Sequence, residues 1–534
     1  MDDDTGANRA EGPMLNRRSV IRGGAGIAAA GWLTAACGPG GTRPTGGTAS
    51  PTPSTPAAPT TAGASPSASA SPTARPDWKA LGRTLDGRLV LPDDADYATA
   101  RLLYNTRFDG QRPAAVAYVS GTEDIRACLD FARRTGVPVS VRNGGHSYAG
   151  YSGGKGRLVL DVSSMASVDL SGGTATIGAG AKLIDVYTRL GASGRTLPAG
   201  SCPTVGISGL TLGGGHGVLS RAYGLTCDSL TGAEIVTADG QVLRCDADEN
   251  PELFWALRGA GGGQFGVVTG LTFDTHASPQ VVTGYLTWPW SKAAAVLRAW
   301  QEWGPTQPDE IWSALHLDKS GSGSPQISIA TVGITSRDGL ANAVDRLADS
   351  IGASATSVSL HPRTYLDAAL AYAGCSNLST AQCHLPGSTP GRSPSGRLGR
   401  ETYTARSDFY DRSLSETGIQ TLLSQVEGLR SGSGSVSLTA LGGAVNRVSP
   451  TATAFVHRRS RFLAQYIETP GTTNWLAGLH AAMRRHASGA AYQNYTDATL
   501  TDWRTAYYGS AADRLTRLKA RYDPTRLFDF QQAL

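Results

Sequence analysis

The sequence predicts an α+β fold of short elements, on three observations. Between residues 114 and 191, brief β-type runs alternate with stretches whose apolar residues recur every three to four positions. Glycine supplies 67 of 534 residues, with no Gly-X-Y period, well above an average of roughly 7%. Hydrophobic residues make up 40% of the chain, enough for packed cores in two or three units. Collagen-like and wholly disordered chains are excluded.

The elements follow in order. Residues 114–120 (AAVAYVS) read as a strand. Thr122 is placed as a helix N-cap, Glu123 and Asp124 suit the first turn, Ile125, Cys128, Leu129 and Ala132 share one face, and Gly136 stops the helix. Cys128 on that face reads as an inert core thiol. Residues 137–141, 157–162 and 174–178 read as further strands, and Leu183, Val186, Tyr187 and Leu190 mark a second helix closed by Gly191. Downstream, PELFWALRG is helix-like and GVVTGLTF strand-like.

Charge and cysteine usage narrow the function. The 48 Lys and Arg against 43 Asp and Glu leave +5, with only 17% of residues charged, a balance that does not call for nucleic acid. Seven cysteines are too few for a disulfide scaffold, and no Cys-x-x-Cys pair marks a zinc site. Cys375 and Cys383 lie in a Gly/Ser-rich stretch where a local bridge would limit motion in an exported protein, although spacing does not fix the pairing. His384 has too few companion ligands to imply a metal.

Residues 1–37 read as an export signal: paired Arg17 and Arg18, an uncharged run from 23 to 36, then Cys37. The run falls short of the ~20 apolar residues of a membrane span. It fits the twin-arginine route, taken by proteins that fold and load a cofactor before crossing a membrane. Small residues before Cys37 make it a candidate lipidated cysteine, the one membrane link expected, with simple cleavage or an unprocessed tail as the alternatives. Residues 38–76 contain only Gly, Pro, Thr, Ser and Ala apart from Arg43 and Arg75. They read as a disordered tether.

Three glycine-rich loops are candidate nucleotide sites. Gly261, Gly263 and Gly266 match G-x-G-x-x-G, but the run follows a helix-like stretch and precedes a strand, the reverse of the Rossmann order. RNGGHS, from Arg142 to Ser147, instead follows a strand, and its adjacent glycines would let backbone amides approach a pyrophosphate, with Arg142 as counter-charge. GSCPTVGISGLTLGGGHG, from Gly200 to Gly217, is a second such loop and carries Cys202.

Together RNGGHSYAGYS, GSCPTVGISG, GGGHGVLSRAYGLTCDSL, ADENPELFWALRGAGGGQFGVVTGLTF, AYQNYTD and YDPTRLFDFQQ resemble, in family order, the berberine-bridge-enzyme-like flavin oxidases. This is a branch of the vanillyl-alcohol-oxidase superfamily. The resemblance spans roughly residues 91–534 and is weakest between 280 and 450. It implies a two-subdomain PCMH-type FAD-binding domain over 77–278. A substrate domain over 279–484, an antiparallel sheet backed by helices, would follow, and 485–534 would return to the flavin. It further implies bicovalent FAD, with His146 on the 8α-methyl and Cys202 on C6. The flavin environment would comprise Arg142, Asn143, Gly144, Gly145 and Ser147; Thr204, Val205, Gly206, Gly209, Gly213 and Gly214; and Val268, Tyr492 and Asn494. Two links would retain the cofactor outside the cell and raise its potential as a hydride acceptor.

The resemblance also assigns the base. In the family it is the second tyrosine of Tyr-x-Asn-Tyr, here Tyr495. A phenol of pKa ~10 needs help to act near neutrality. Two departures from plant members bear on that help: His216 stands where many have a tyrosine, and Leu463 where many have Glu or Lys. His216, Gln465 or an arginine is expected to substitute. Val205 is the residue type that in the family leaves room for oxygen. The expected activity is therefore oxidation of a hydroxylated small molecule (a sugar, an oligosaccharide or a secondary metabolite), with O2 as the reoxidant. The rival readings are a dehydrogenase using another acceptor and an inactive tethered binding protein.

Overall fold

The computed structural model describes residues 75–534; the export-signal reading and nearly all of the tether reading lie outside them. A first sheet holds β1 (Arg88–Val90), β2 (Ala115–Tyr118), β3 (Val139–Arg142) and β4 (Leu158–Asp161) in the order β1-β2-β4-β3. Its β2-β4 and β4-β3 pairs are parallel and β1-β2 is antiparallel. The helix Thr122–Thr135 buries Ile125, Cys128, Leu129 and Ala132 and ends at Gly136, whose φ of 69° explains the glycine. Burial pushes the Cys128 thiol up to about 12, as suits a core thiol.

Thr122 is not the N-cap. Gly121 occupies that position with no side-chain cap. The Asp124 carboxylate instead accepts from the amides of Ser120, Asp86 and Gly87 at 2.8 to 3.0 Å, tying the helix start to the preceding strand and holding the carboxyl below its usual pKa despite partial burial.

The chain continues through β5 (Val168–Ser171), β6 (Thr174–Gly178), β7 (Arg195–Thr196), β8 (Leu230–Thr237), β9 (Val242–Cys245), β10 (Gly266–Asp274) and β11 (His276–Ala277). Five of them form an antiparallel sheet, β5-β6-β10-β8-β9, and β7 pairs with β11. One apolar core unites both larger sheets, running through Leu129, Leu160, Ile177, Ile235, Phe265 and Phe273.

The remaining strands are β12 (Gln280–Trp288), β13 (Ile311–Ser320), β14 (Gln326–Gly333), β15 (Ser357–Thr364), β16 (Thr404–Tyr410), β17 (Ser433–Ala440) and β18 (Phe462–Glu468). They build one antiparallel sheet in the order β15-β12-β14-β13-β17-β18-β16. Period-two alternation sends Leu315, Leu317, Ile327, Ile329 and Leu438 to one face. There the helices Ala293–Thr306, Arg337–Ile351, Glu416–Glu427 and Trp475–Arg484 cover them with Trp300, Val344, Leu422 and Leu479. The opposite face carries Trp312, His316, Ser437 and Gln465 toward the first unit.

Residues after the sheet pack back on the first unit. Helix Ala512–Tyr522 is bound to the helix Pro251–Leu257 by Arg514 and Glu252 at 2.5 Å. The buried Lys519 donates to Gln264 O at 2.6 Å. Cys375 and Cys383 are joined by a disulfide, and His384 pairs with Asp185 at 3.0 Å.

Candidate functional site

A cavity of about 440 Å³ lies between the glycine loops and the bare face of the seven-stranded sheet. Within it fall Arg142 to Ser147, Cys202, Val205, Gly206, Gly209, Gly213, His216, Val268, Gln465, Tyr492, Asn494 and Tyr495. Two sequence-assigned residues do not line it. Thr204 stands behind the wall with its hydroxyl on His146 Nε2 at 2.8 Å. Gly214, at φ 114°, is packed so that a Cβ would lie 2.8 Å from Phe455, so it shapes the loop rather than facing the cavity.

The loop after β3 is held from behind. Arg142 is buried, paired with Asp161 at 2.5 Å and donating to Ala100 O at 2.7 Å, while its Nη1 has no hydrogen-bond partner among the described residues. Asn143 donates to Ala179 O and to Ser208 Oγ (3.2 Å) and accepts from the buried Lys182 Nζ at 2.5 Å, so its amide fixes the loop. Gly144 is there because a Cβ would meet Thr204 O at 2.5 Å and Gly206 N at 2.6 Å. The Ser147 hydroxyl accepts from Tyr151 N at 3.0 Å. His146 lies under the Tyr104 ring, centroids 3.9 Å apart and 17° from parallel. Thr204 occupies Nε2 and leaves Nδ1 as the ring nitrogen for any further bond. Burial, and secondarily the Lys182 charge, lower the His146 pKa to about 3, so the imidazole is neutral.

Within the second loop a short helix, Ile207–Leu212, interrupts what the sequence presents as continuous loop. Gly209 on it lines the cavity, and a Cβ there would meet no protein atom within 4 Å. Cys202 also lines the cavity.

The returning segment supplies the aromatic end. Asn494 Nδ2 donates to Leu210 O and to Tyr492 Oη, both at 2.9 Å, and Tyr492 Oη accepts from Gly215 N at 2.9 Å. Tyr495 Oη meets His216 Nε2 at 2.8 Å. Tyr148 stacks on Tyr495 at 5.2 Å, and Gln465 Nε2 donates to Tyr148 Oη at 2.7 Å. Gln465 therefore does not hydrogen-bond the candidate base; it orients the tyrosine stacked on it. No arginine takes that place: Arg157, the other guanidinium at the cavity, donates to Val139 O and Asp529 O. Leu463 sits in an apolar cluster with Phe409, Phe455 and Tyr492, against which Tyr495 packs.

These surroundings decide protonation. Burial, then the neighbouring Tyr148 and Tyr492, push Tyr495 well above the ordinary phenol value, so the phenolate that the sequence argument required is disfavoured. Burial also lowers His216 to about 4, leaving a neutral imidazole beside the phenol. Tyr104, Tyr148, Tyr403, Lys182, Trp312 and His316 went unassigned at the sequence level. Only Tyr148 carried a signal, as the residue two after His146 in RNGGHSY.

Residues 113–246 match the family model "FAD binding domain", and residues 491–534 match "Berberine and berberine like". An uncharacterised FAD-linked oxidoreductase of Bacillus subtilis is 33% identical over 468 residues, 84% of this chain and 97% of the relative. The chain belongs to the berberine-bridge-enzyme-like FAD-linked oxidoreductases. This enzyme is also 31% identical to the chitooligosaccharide oxidase of Gibberella zeae over 465 residues, 81% of this chain and 89% of that one. Among solved structures, the glucooligosaccharide oxidase of Acremonium strictum, studied for its 6-S-cysteinyl, 8α-N1-histidyl FAD, has a TM-score of 0.74 at 27% identity. The match covers 84% of this chain and 97% of that one. The fold is the two-subdomain PCMH-type FAD-binding architecture with a helix-backed antiparallel substrate domain.

The residues present fit FAD. Glycine loops form one wall, and bare Gly209 leaves a cradle that no side chain fills. Gln493 Oε1 and Gln532 Oε1 line the same cavity, buried and without partners among the described residues. Both are acceptors that a flavin's N–H or ribityl hydroxyls would satisfy.

Proposed function

We propose that this enzyme oxidises a carbohydrate hydroxyl, with O2 as the final acceptor. The observation that carries the reading is the Tyr495–His216 hydrogen bond at 2.8 Å in an aromatic cavity that also holds His146 and Cys202. Bound FAD supplies the hydride acceptor. The protein supplies the proton path: Tyr495 Oη, donating to neutral His216 Nε2, accepts a substrate hydroxyl proton as its own passes to the imidazole. The phenol thus acts without becoming a free phenolate, which its burial opposes. Gln465, through Tyr148, holds the Tyr495 ring in register.

Similarity to oligosaccharide oxidases supports a sugar substrate, as do the tyrosines and hydroxyl side chains of the cavity. Attachment through His146 Nδ1 is supported by the Thr204 contact at Nε2. Attachment through Cys202 requires its sulfur as a thiol. Intact mass of acid-denatured protein, with peptides mapped around both residues, separates two links from one or none. Val205 beside the cavity supports oxygen as acceptor; oxygen uptake matched by equimolar peroxide tests it, and uptake without turnover of any hydroxylated substrate overturns the assignment. Export by the twin-arginine route is part of the same proposal, on Arg17 and Arg18; cell fractionation tests it.

A further inference from the structure

The sheet wall of the cavity carries polar atoms that the protein leaves without partners. Trp312, Ala314, His316 and Asp318 alternate along one face of β13, and Trp312 and His316 line the cavity. Trp312 is 8% exposed, and its Nε1 has no hydrogen-bond acceptor among the described residues; the buried His316 Nε2 has no partner there either. An indole N–H can only donate, and a neutral imidazole nitrogen donates or accepts according to its tautomer. Groups of this kind, buried at a cavity wall, call for a ligand that brings its own oxygens.

Strand register places them relative to the reacting end. His316 lies opposite Ser437, Ser437 opposite Gln465, and Gln465 holds Tyr148 against Tyr495. Two strand spacings of ~4.8 Å separate His316 from Gln465 at the backbone, about 10 Å. That is further than one pyranose ring extends. The row between them, His316, Ser437 and Gln465, offers hydroxyl and amide groups and no charge. Its neighbour Ser435 also lines the cavity, bonded to the buried Asp318. Of the guanidiniums at the cavity, Arg142 ends β3 on the loop wall, with its charge paired to Asp161, and Arg157 donates to main-chain oxygens; neither is on the seven-stranded sheet.

Resting on the carbohydrate-oxidase reading, we propose that Trp312 and His316 bind the second ring of a neutral oligosaccharide whose first ring is oxidised at Tyr495. The Trp312 N–H donates to a ring or hydroxyl oxygen, and His316 Nε2 pairs with a hydroxyl. A uronic acid in that position finds no free cation to receive it, so neutral chains are the substrates.

The test uses the flavin-loaded enzyme and variants Trp312→Phe, His316→Leu and His316→Gln. Each is assayed by oxygen uptake on a monosaccharide and on its trisaccharide from the gluco-, xylo- and N-acetylchito series. Each lost hydrogen bond is expected to raise KM for the trisaccharide about tenfold. The monosaccharide KM should change less than about twofold, kcat should hold, and His316→Gln should restore most of the loss. Equal effects on both lengths, or none on either, overturn the second-ring assignment and leave the oxidase reading standing. A wild-type enzyme that is yellow yet oxidises no neutral saccharide of any length overturns both. A uronate trisaccharide oxidised as well as its neutral counterpart overturns the assignment of substrate class.

Discussion

The cavity has two unlike walls. On the loop side, most first-loop polar side chains bond within the protein: Arg142 on Asp161 through Nε, Asn143 on Lys182 and Ser208, Thr204 on His146; only Arg142 Nη1 is left over there. On the sheet side, Trp312 and His316 keep polar atoms unpaired. The first wall presents fixed backbone, suited to a cofactor that stays. The second presents side chains waiting for partners, suited to a ligand that comes and goes. Tyr495 and His216 lie where the walls meet.

Substitutions at that seam should have the largest effect. Tyr495→Phe is expected to slow anaerobic flavin reduction by about 10³-fold while flavin stays attached; stopped-flow absorbance checks it, and an unchanged rate removes Tyr495 from the proton path. His216→Gln should cost about 10²-fold. His216 must be neutral to accept, so wild-type kcat/KM should hold down the acid range and fall only as pH drops through about 4; in the glutamine variant that limb should vanish.

Smaller effects separate backbone from cradle. Gly144→Ala forces a Cβ against Thr204 O and Gly206 N, and should destabilise the protein by about 1–3 kcal/mol whether or not flavin is bound. Gly209→Ala meets no protein atom. It should leave the flavin-free melting temperature unchanged while reducing flavin content, measured by absorbance after gel filtration. If the two variants behave alike, the loop wall is not a cofactor cradle.

The smallest effect concerns acid stability. Burial lowers His216, His316 and His457 each to about 4 and His146 to about 3, against ~6.5 in an unfolded chain. Between those values the unfolded chain binds protons that the folded one does not. In the flavin-free protein, stability from these groups is therefore complete above about pH 6.5 and declines as pH falls toward 4, with a slope approaching about four protons. Melting curves across that range check it.

The two walls also differ in how far the sequence discloses them. The loop wall is contiguous, so RNGGHS and GSCPTVGISG announce its glycines, His146 and Cys202. The Arg142–Asp161 pair is not legible there, because Asp161 lies on β4 and only strand pairing brings the two together. The sheet wall comes from alternate residues of β13, β17 and β18, the first more than a hundred positions before the other two. Each is ordinary in its own strand, and their convergence depends on a sheet order no local pattern encodes. Tyr104 over His146 is hidden in the same way. The Tyr495 partner was within reach, since His216 was already singled out, but its protonation followed from burial alone.

One feature of the returning segment bears on how the two units can move. Within four residues, Tyr492 N donates to Ser407 Oγ on β16, Gln493 Nε2 to Gly259 O, and Asn494 Nδ2 to Leu210 O. The segment is a suture between the sheet unit and the flavin unit, and the reacting tyrosine is part of the thread. Swinging the units apart would strain these three bonds and draw Tyr495 off His216, so an open arrangement of the two units would be one without the Tyr495–His216 pair.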